Sequence, residues 1–303
     1  ALATLLGVGL GQDASHAARP SPGSPGLVAA IRAALGSTHP RDLTLVSPHG
    51  TGTAANDAAE REAMQVLFGA EVPPLRRAKA TTGHTLGASG AVEIALEVAA
   101  MRAGLALPAW GLSGSTRTRA AAEGRWLAVS SAFGGLHAAA LFGEPGSAAS
   151  DRARPLRPVQ TGESRATMEG DAVDTPHLAV FAALRDLGIH EVPDGAVATV
   201  LSTRDGCPTA DRLHHVSVLR HGAASLSRRT FLRTMPGAAL TDANIRLSLR
   251  GPALTLLDSA GAGAQAARWQ VAQGRARAAV HVDLEVTPEH ASAHATLYRA
   301  EGS

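Results

Sequence analysis

The run Leu43-Thr44-Leu45-Val46-Ser47-Pro48-His49-Gly50-Thr51-Gly52-Thr53-Ala54-Ala55-Asn56-Asp57 joins three local patterns. Leu43 to Val46 is a short apolar stretch of the kind a buried strand shows. His49 follows on a pliable turn, with Thr51 and Thr53 interleaved with two glycines. A helical pattern then opens near residue 56, where Asn56 or Asp57 is the expected N-cap and Glu60 lies in the first turns. Strand, glycine turn and helix in that order are the unit of a layered α/β protein. A histidine on such a turn is placed to face a ligand.

The same alternation continues on both sides. Apolar strands are expected at about 2–9, 43–47 and 76–80, and helices at 25–35, 56–68 and 88–102. A hairpin-like pair is expected at 125–131 and 136–142. Residues 143–170, GEPGSAASDRARPLRPVQTGESRATMEG, carry Gly, Pro, Ser and Arg without periodicity and read as a linker. The pattern resumes over 171–303, with helices at 176–187, 238–248 and 262–273 and strands at 196–202, 253–257 and 277–286. The expectation is therefore two α/β blocks, 1–142 and 171–303, separated by 143–170.

Composition removes several function classes. The chain of 303 residues is 45% hydrophobic and 18% charged, enough apolar material for real cores. Its 28 basic residues include one lysine, Lys79, and are spread without a dense block, so nucleic-acid binding is not indicated. The single cysteine, Cys207, excludes an internal disulfide framework and a cysteine-cluster metal site. No apolar run reaches membrane-spanning length, and no signal peptide is evident; a cytoplasmic location is expected. The opening ALATLLGVGL reads as a strand entered midway, with more protein expected before it.

Three segments carry chemistry. The first is the His49 turn. The second is Lys79-Ala-Thr-Thr-Gly-His84-Thr-Leu-Gly-Ala-Ser-Gly90, leading to a helix that holds Glu93. The third is Ala132-Phe133-Gly134-Gly135, a glycine-rich bend with one aromatic. A neutral imidazole donates from one ring nitrogen, so two histidines aimed at one oxygen can hold an enolate or oxyanion. Lys79, five residues before His84, is expected to influence that ring's orientation and protonation. The spacing of TTGHTLGASG fits neither the dinucleotide nor the P-loop pattern. A metal at His49 and His84 is not expected, because the nearby acids suit helix capping better. His290 and His294 fall in a strand-like tail, about 13 Å apart, too far to share a metal.

PHGTGTxxND, KxxxGHxxGAxGxxE and xFGGxxxAxxF, in this order, closely resemble the C-terminal half of β-ketoacyl-acyl-carrier-protein synthases, which have the thiolase fold. The resemblance covers about residues 1–142, beginning at GVGLGQDASH. It implies a layered αβαβα fold and an acyltransferase of fatty-acid or polyketide assembly. By it, His49 and His84 polarise a malonyl thioester and stabilise the enolate after decarboxylation, while Lys79 and Glu93 form a supporting charged pair. Thr51 and Thr53 match the pair that contacts the phosphopantetheine arm. Phe133, beside Gly134, stands where the family keeps a gating aromatic. No dissociable cofactor is implied, since the substrate rides on acyl carrier protein, and a homo- or heterodimer with a ketosynthase is expected. Where the family reads Asn-Ser-Phe-Gly-Phe-Gly-Gly-Thr-Asn, this chain has Val129-Ser130-Ser131-Ala132-Phe133-Gly134-Gly135-Leu136-His137, so a gating loop that moves or packs differently is expected.

Condensation also needs a cysteine to carry the acyl chain. Residues 171–303 more weakly resemble the family's N-terminal half, around LRGPALTLLDSAGAGAQAARWQVAQGRA. Counting from Gly251-Pro252 or from residues 263–266 puts the nucleophile's position at Ala260, which has none. Cys207 lies in a loop without the nucleophile's setting. His214 and His215 read as surface residues, and Arg228, Arg229 and Arg233 as a small, mostly solvated basic group. Two readings follow: a ketosynthase whose cysteine half lies upstream, or a nucleophile-free, chain-length-factor-like subunit made of two half-domains in swapped order.

Overall fold

The computed structural model describes residues 2–105, 124–147, 157–171, 173–189, 192, 197–222, 227–257 and 260–301. Two compact units divide the chain, residues 1–13 with 19–152 and residues 14–18 with 153–303.

The first unit is a four-stranded sheet in the order β1-β4-β3-β2, from strands Thr4–Gln12 (β1), Leu43–Ser47 (β2), Arg125–Ala132 (β3) and Leu136–Gly143 (β4). β4 runs antiparallel to β1 and β3, and β2 is parallel to β3. Helices Pro25–Leu35 (α1) and Ala54–Phe68 (α2) bury Leu27, Ile31 and Met64 on one face with Val46, Leu127 and Leu141. The helix Ser89–Arg102 (α4) covers the other face, where Ile94 and Val98 pack on Leu45, Trp126 and Ala128. Burying each large aliphatic side chain contributes about 1.5–3 kcal/mol. Gly7, Gly9 and Gly11 line one side of β1, and a Cβ on any of them would come within 1.9–2.1 Å of a main-chain oxygen of α1. The alternating glycines let the helix lie directly against the strand backbone.

Two expectations in this unit are corrected. No strand forms at 76–80: Leu75 makes an isolated bridge with Val46, and Lys79–Thr82 is a single helical turn (α3). Arg76 and Lys79 both reach carboxylates on α4, and a strand would point residues three apart to opposite faces. The helix expected from Asn56 starts two residues earlier, after Thr53. Its acids reach back to the glycine turn instead of capping: Asp57 accepts the Gly52 amide at 3.0 Å.

The second unit is a five-stranded sheet in the order β5-β9-β8-β6-β7, from Pro158–Glu169 (β5), Val197–Thr203 (β6), Ala253–Leu257 (β7), Ala278–Val286 (β8) and His290–Ala300 (β9). Helices Thr175–Asp186 (α5) and Ala238–Arg246 (α8) pack on one face, and Ala260–Ala272 (α9) on the other. The expected linker 143–170 is corrected by β5, which pairs antiparallel with β9 from Pro158↔Ala300 to Glu169↔His290. As an edge strand it exposes most of its polar residues and buries only Ala166, so no apolar alternation marks it. Helices Pro208–His221 (α6) and Arg228–Arg233 (α7) were likewise not expected; α6 buries only Ala210.

Gly9→Ala is expected to lower stability by about 3 kcal/mol through overpacking against α1. Gly261→Ala, exposed on α9 with open space around it, should be neutral or slightly stabilising. Urea denaturation of both variants checks the contrast.

Candidate active site

The His49 turn is held from below by one carboxylate. Glu60, on the second turn of α2 and buried, accepts the amides of His49 and Gly50 at 2.8 Å each, and the Asn56 amide group at 2.9 Å. Burial pushes the Glu60 carboxyl up to about 7, against these hydrogen bonds. Arg77 closes the turn from the side, donating to the Gly50 carbonyl at 3.0 Å. Gly52 has φ +89, and a Cβ there would lie 1.9 Å from the Arg77 guanidinium. The turn is therefore rigid by construction.

α3 and α4 bring the charged pair to the same ring. Lys79 Nζ lies 2.5 Å from Glu93 Oε1 and 3.2 Å from His49 Nδ1, and all three side chains are buried. The expectation that Lys79 acts on His84 is corrected: the lysine meets His49. With the ammonium donating to Nδ1, the proton of the neutral His49 ring sits on Nε2. Burial, the Lys79 charge, His84 and His137 together lower the His49 pKa to about 3. His84 is exposed, and its ring centroid lies 5.4 Å from that of His49, edge to face at 80°. The Leu86 amide donates to His84 Nδ1 at 3.1 Å, and Ser89 Oγ is equally close. The His84 N–H is thus also on Nε2. Two imidazoles each offering one N–H donor, over a buried carboxylate–ammonium pair, can stabilise negative charge developing on a carbonyl oxygen.

The remaining expected residues take varied places. Thr51 is half-buried and Thr53 exposed, their hydroxyls 3.3 Å apart beside the turn. Phe133 is 47% exposed in the β3–β4 loop, and Gly134 is buried behind it. Asp13 ties that loop down, its amide donating to the Gly135 carbonyl at 2.8 Å and its carboxylate meeting His137 Nε2 at 3.2 Å. In the second unit Ala260 is the first residue of α9, directly beyond β7 and two residues. Cys207 sits at the N-cap of α6, where burial pushes its thiol up to about 11. Such a thiol is not a ready nucleophile at neutral pH.

Sequence reasoning missed Arg76, Glu97, Arg77 and the bracing role of Glu60. Arg76 and Glu97 form a second buried pair at 3.0 Å, one helical turn along α4 from Glu93. Acids four apart on the face of α4 that also carries buried Ala100 were the available signal.

Lys79→Met removes the positive neighbour of His49. It is expected to raise the His49 pKa and, by leaving Glu93 buried and unpaired, to cost about 3–5 kcal/mol; imidazole NMR titration and urea denaturation read the two effects. A second expectation concerns pH. His49 is depressed from 6.5 to about 3, so it binds a proton more readily unfolded, and its burial contributes stability that is lost as pH falls through that interval. Glu60, raised from 4.5 to about 7, acts oppositely, its contribution falling as pH rises between those values. His49→Leu removes only the first effect, so the slope of unfolding free energy between pH 4.5 and 6 should drop by about 1.4 kcal/mol per pH unit.

Comparison with known proteins finds similarity in the first part of the sequence and in the fold. Residues 2–113 match the family model of the beta-ketoacyl synthase C-terminal domain. The 3-oxoacyl-acyl-carrier-protein synthase 2 of Coxiella burnetii is 34% identical over 110 residues, 35% of this chain and 27% of its own. Nodulation protein E of Rhizobium sp. strain N33 is 36% identical over 111 residues, again 35% and 27%. The match therefore spans about a quarter of the length of these relatives. The solved PfaC keto synthase–chain length factor superposes on 99% of this chain and 48% of its own, with TM-score 0.75 and 14% identity, a likeness of fold. The fold is α/β and thiolase-like, and residues 2–113 match the model of the beta-ketoacyl synthase C-terminal domain.

Proposed function

We propose that the chain supplies the two-histidine half of a β-ketoacyl-carrier-protein synthase, an acyltransferase that joins acyl and malonyl thioesters by decarboxylative Claisen condensation. The observation that carries this is the His49–His84 pair, each ring fixed by its Nδ1 contact so that Nε2–H is free to donate. A malonyl thioester oxygen placed between the two N–H groups is polarised. Loss of carbon dioxide then leaves an enolate that the same donors hold. The neutral state of His49 keeps it a hydrogen-bond donor rather than an acid that would quench the carbanion. Thr51 and Thr53 are suited to the amides of a phosphopantetheine arm on acyl carrier protein, and exposed Phe133, beside Gly134, to the rim of the acyl channel. No dissociable cofactor enters this scheme, and the partners are acyl carrier protein and a second ketosynthase-type subunit.

On this reading residues 1–142 are the C-terminal half, and the acyl-accepting cysteine is supplied by a segment outside this chain. A second reading is favoured by Ala260 at the start of α9 and by the buried, unactivated Cys207. Here residues 171–303 are an N-terminal-half-like domain without its nucleophile, and the chain acts as a chain-length-factor-like subunit that binds an acyl chain beside an active ketosynthase.

Incubated with malonyl carrier protein, the purified chain is expected to release carbon dioxide. His49→Ala and His84→Ala should each slow release on the order of a hundredfold, and Cys207→Ser should leave it unchanged. No release above the blank, or an unaffected His84→Ala variant, overturns the catalytic reading and leaves the binding subunit.

A further inference from the structure

A second chain of polar contacts, of a different kind, lies near His49. Ser131, the penultimate residue of β3, faces His137 directly across the β3–β4 hairpin. Ser131 Oγ lies 2.8 Å from His137 Nδ1, and His137 Nε2 lies 3.2 Å from Asp13 Oδ2. Asp13 is buried and also accepts the amides of Gly26 at 2.8 Å and Ser21 at 3.3 Å. Burial opposes its ionisation, yet the His137 contact and these amides hold its carboxyl below the usual carboxylate range. The approach of His137 Nε2 to Asp13 is close without being an aligned hydrogen bond. An ionised Asp13 can only accept, which favours the proton on Nε2 and leaves the Nδ1 lone pair toward the serine hydroxyl. Nucleophile, base and orienting carboxylate therefore stand in the order that activates a serine.

Position separates this chain from a buried structural contact. Ser131 is half-buried and immediately precedes exposed Ala132 and Phe133. His137 is near enough to His49 to contribute to that ring's lowered basicity. The second unit holds the opposite case. Ser202 Oγ also contacts an imidazole, His281 Nε2, but Ser202 is fully buried, and a Cβ on Gly263 of α9 would lie 2.3 Å from that nitrogen. That pair is sealed in the core, whereas Ser131 is half-buried beside exposed Ala132 and Phe133, with His137 buried behind it.

We propose that Ser131, His137 and Asp13 form a serine hydrolase-type relay acting on short acyl thioesters or esters. Ser131 Oγ adds to the acyl carbonyl carbon while its proton passes to His137 Nδ1. The C–S bond then breaks, His137 returns the proton to the leaving thiolate, and an acyl ester on Ser131 remains. Water repeats the sequence, giving the free acid, and restores Ser131 and neutral His137. Asp13 orients the ring throughout and keeps its charge. The relay uses neither His49 nor His84, so it stands or falls apart from decarboxylation.

The full chain is treated with a biotinylated fluorophosphonate, and the adduct is mapped by mass spectrometry. Labelling is expected at Ser131, lost in Ser131→Ala, lowered at least tenfold in His137→Asn and retained in Ser130→Ala. Wild type should also hydrolyse p-nitrophenyl butyrate faster than Ser131→Ala. A Ser131→Cys variant gives an independent reading: its new thiol should react with iodoacetamide much faster than Cys207, and His137→Asn added to it should remove the advantage. The proposal is overturned if Ser131 is not labelled, if labelling is unchanged in His137→Asn, or if the Ser131→Cys thiol reacts no faster with His137 than without it.

Discussion

The buried contact between Lys79 and Glu93 is the constraint on which the first unit's chemistry rests. Taking an ammonium and a carboxylate out of water costs several kcal/mol per ion, offset only where geometry is close and the remaining valences are used. Both conditions hold, since the 2.5 Å contact leaves Lys79 a further donor that His49 Nδ1 accepts. The pair ties α3 to α4 and selects the tautomer of the buried His49 ring. Arg76 and Glu97 repeat the arrangement deeper in the fold, so two parallel rungs brace the same helix. Burying two ion pairs side by side is an expensive way to build a core. It is a reasonable way to hold a neutral imidazole rigid and in one orientation.

The second unit is layered in the same manner but distributes its polar groups differently. Its sheet buries Thr199, Ser202 and His281 among Val and Ala side chains, and its helix α9 begins at an alanine. The arginines read from the sequence as a solvated basic group are partly neutralised: Arg229 and Arg233 both pair with Asp174, and Arg233 also meets buried His177. Asp242 approaches the same ring nitrogen, His177 Nδ1, at 3.6 Å. These contacts dock α7 onto α5 and α8 rather than leave an open cationic surface.

Local signals were strong where they were read correctly. Proline at the first position and Gly36 after the last mark α1 as Pro25–Leu35, and the apolar run before Pro48 marks β2 as Leu43–Ser47. The edge strand β5 and the polar helix α6 bury one residue each and so leave almost no hydrophobic period. Lys79–Thr82 forms a helical turn where the local pattern predicts a strand, because its lysine turns inward to a partner 14 residues away. The residues of the site were legible as motifs, through His49, Lys79, His84 and Glu93. Their pairing was not, and the lysine's partner proved to be the other histidine. The link from Ser131 through His137 to Asp13 spans most of the unit's length and joins strands that meet only in the folded sheet.

By itself the sequence determined the α/β alternation, the glycine turns and the residue types available at the site, because these follow from steric and hydrophobic patterns within a few residues. The tertiary structure alone decided which ring nitrogen carries each proton, which acid braces the His49 turn and which serine faces an imidazole. Those outcomes depend on distance and burial: hydrogen bonds and charge interactions act over a few ångströms of space, and only the folded unit brings residues 13, 49, 79, 93, 131 and 137 within that range.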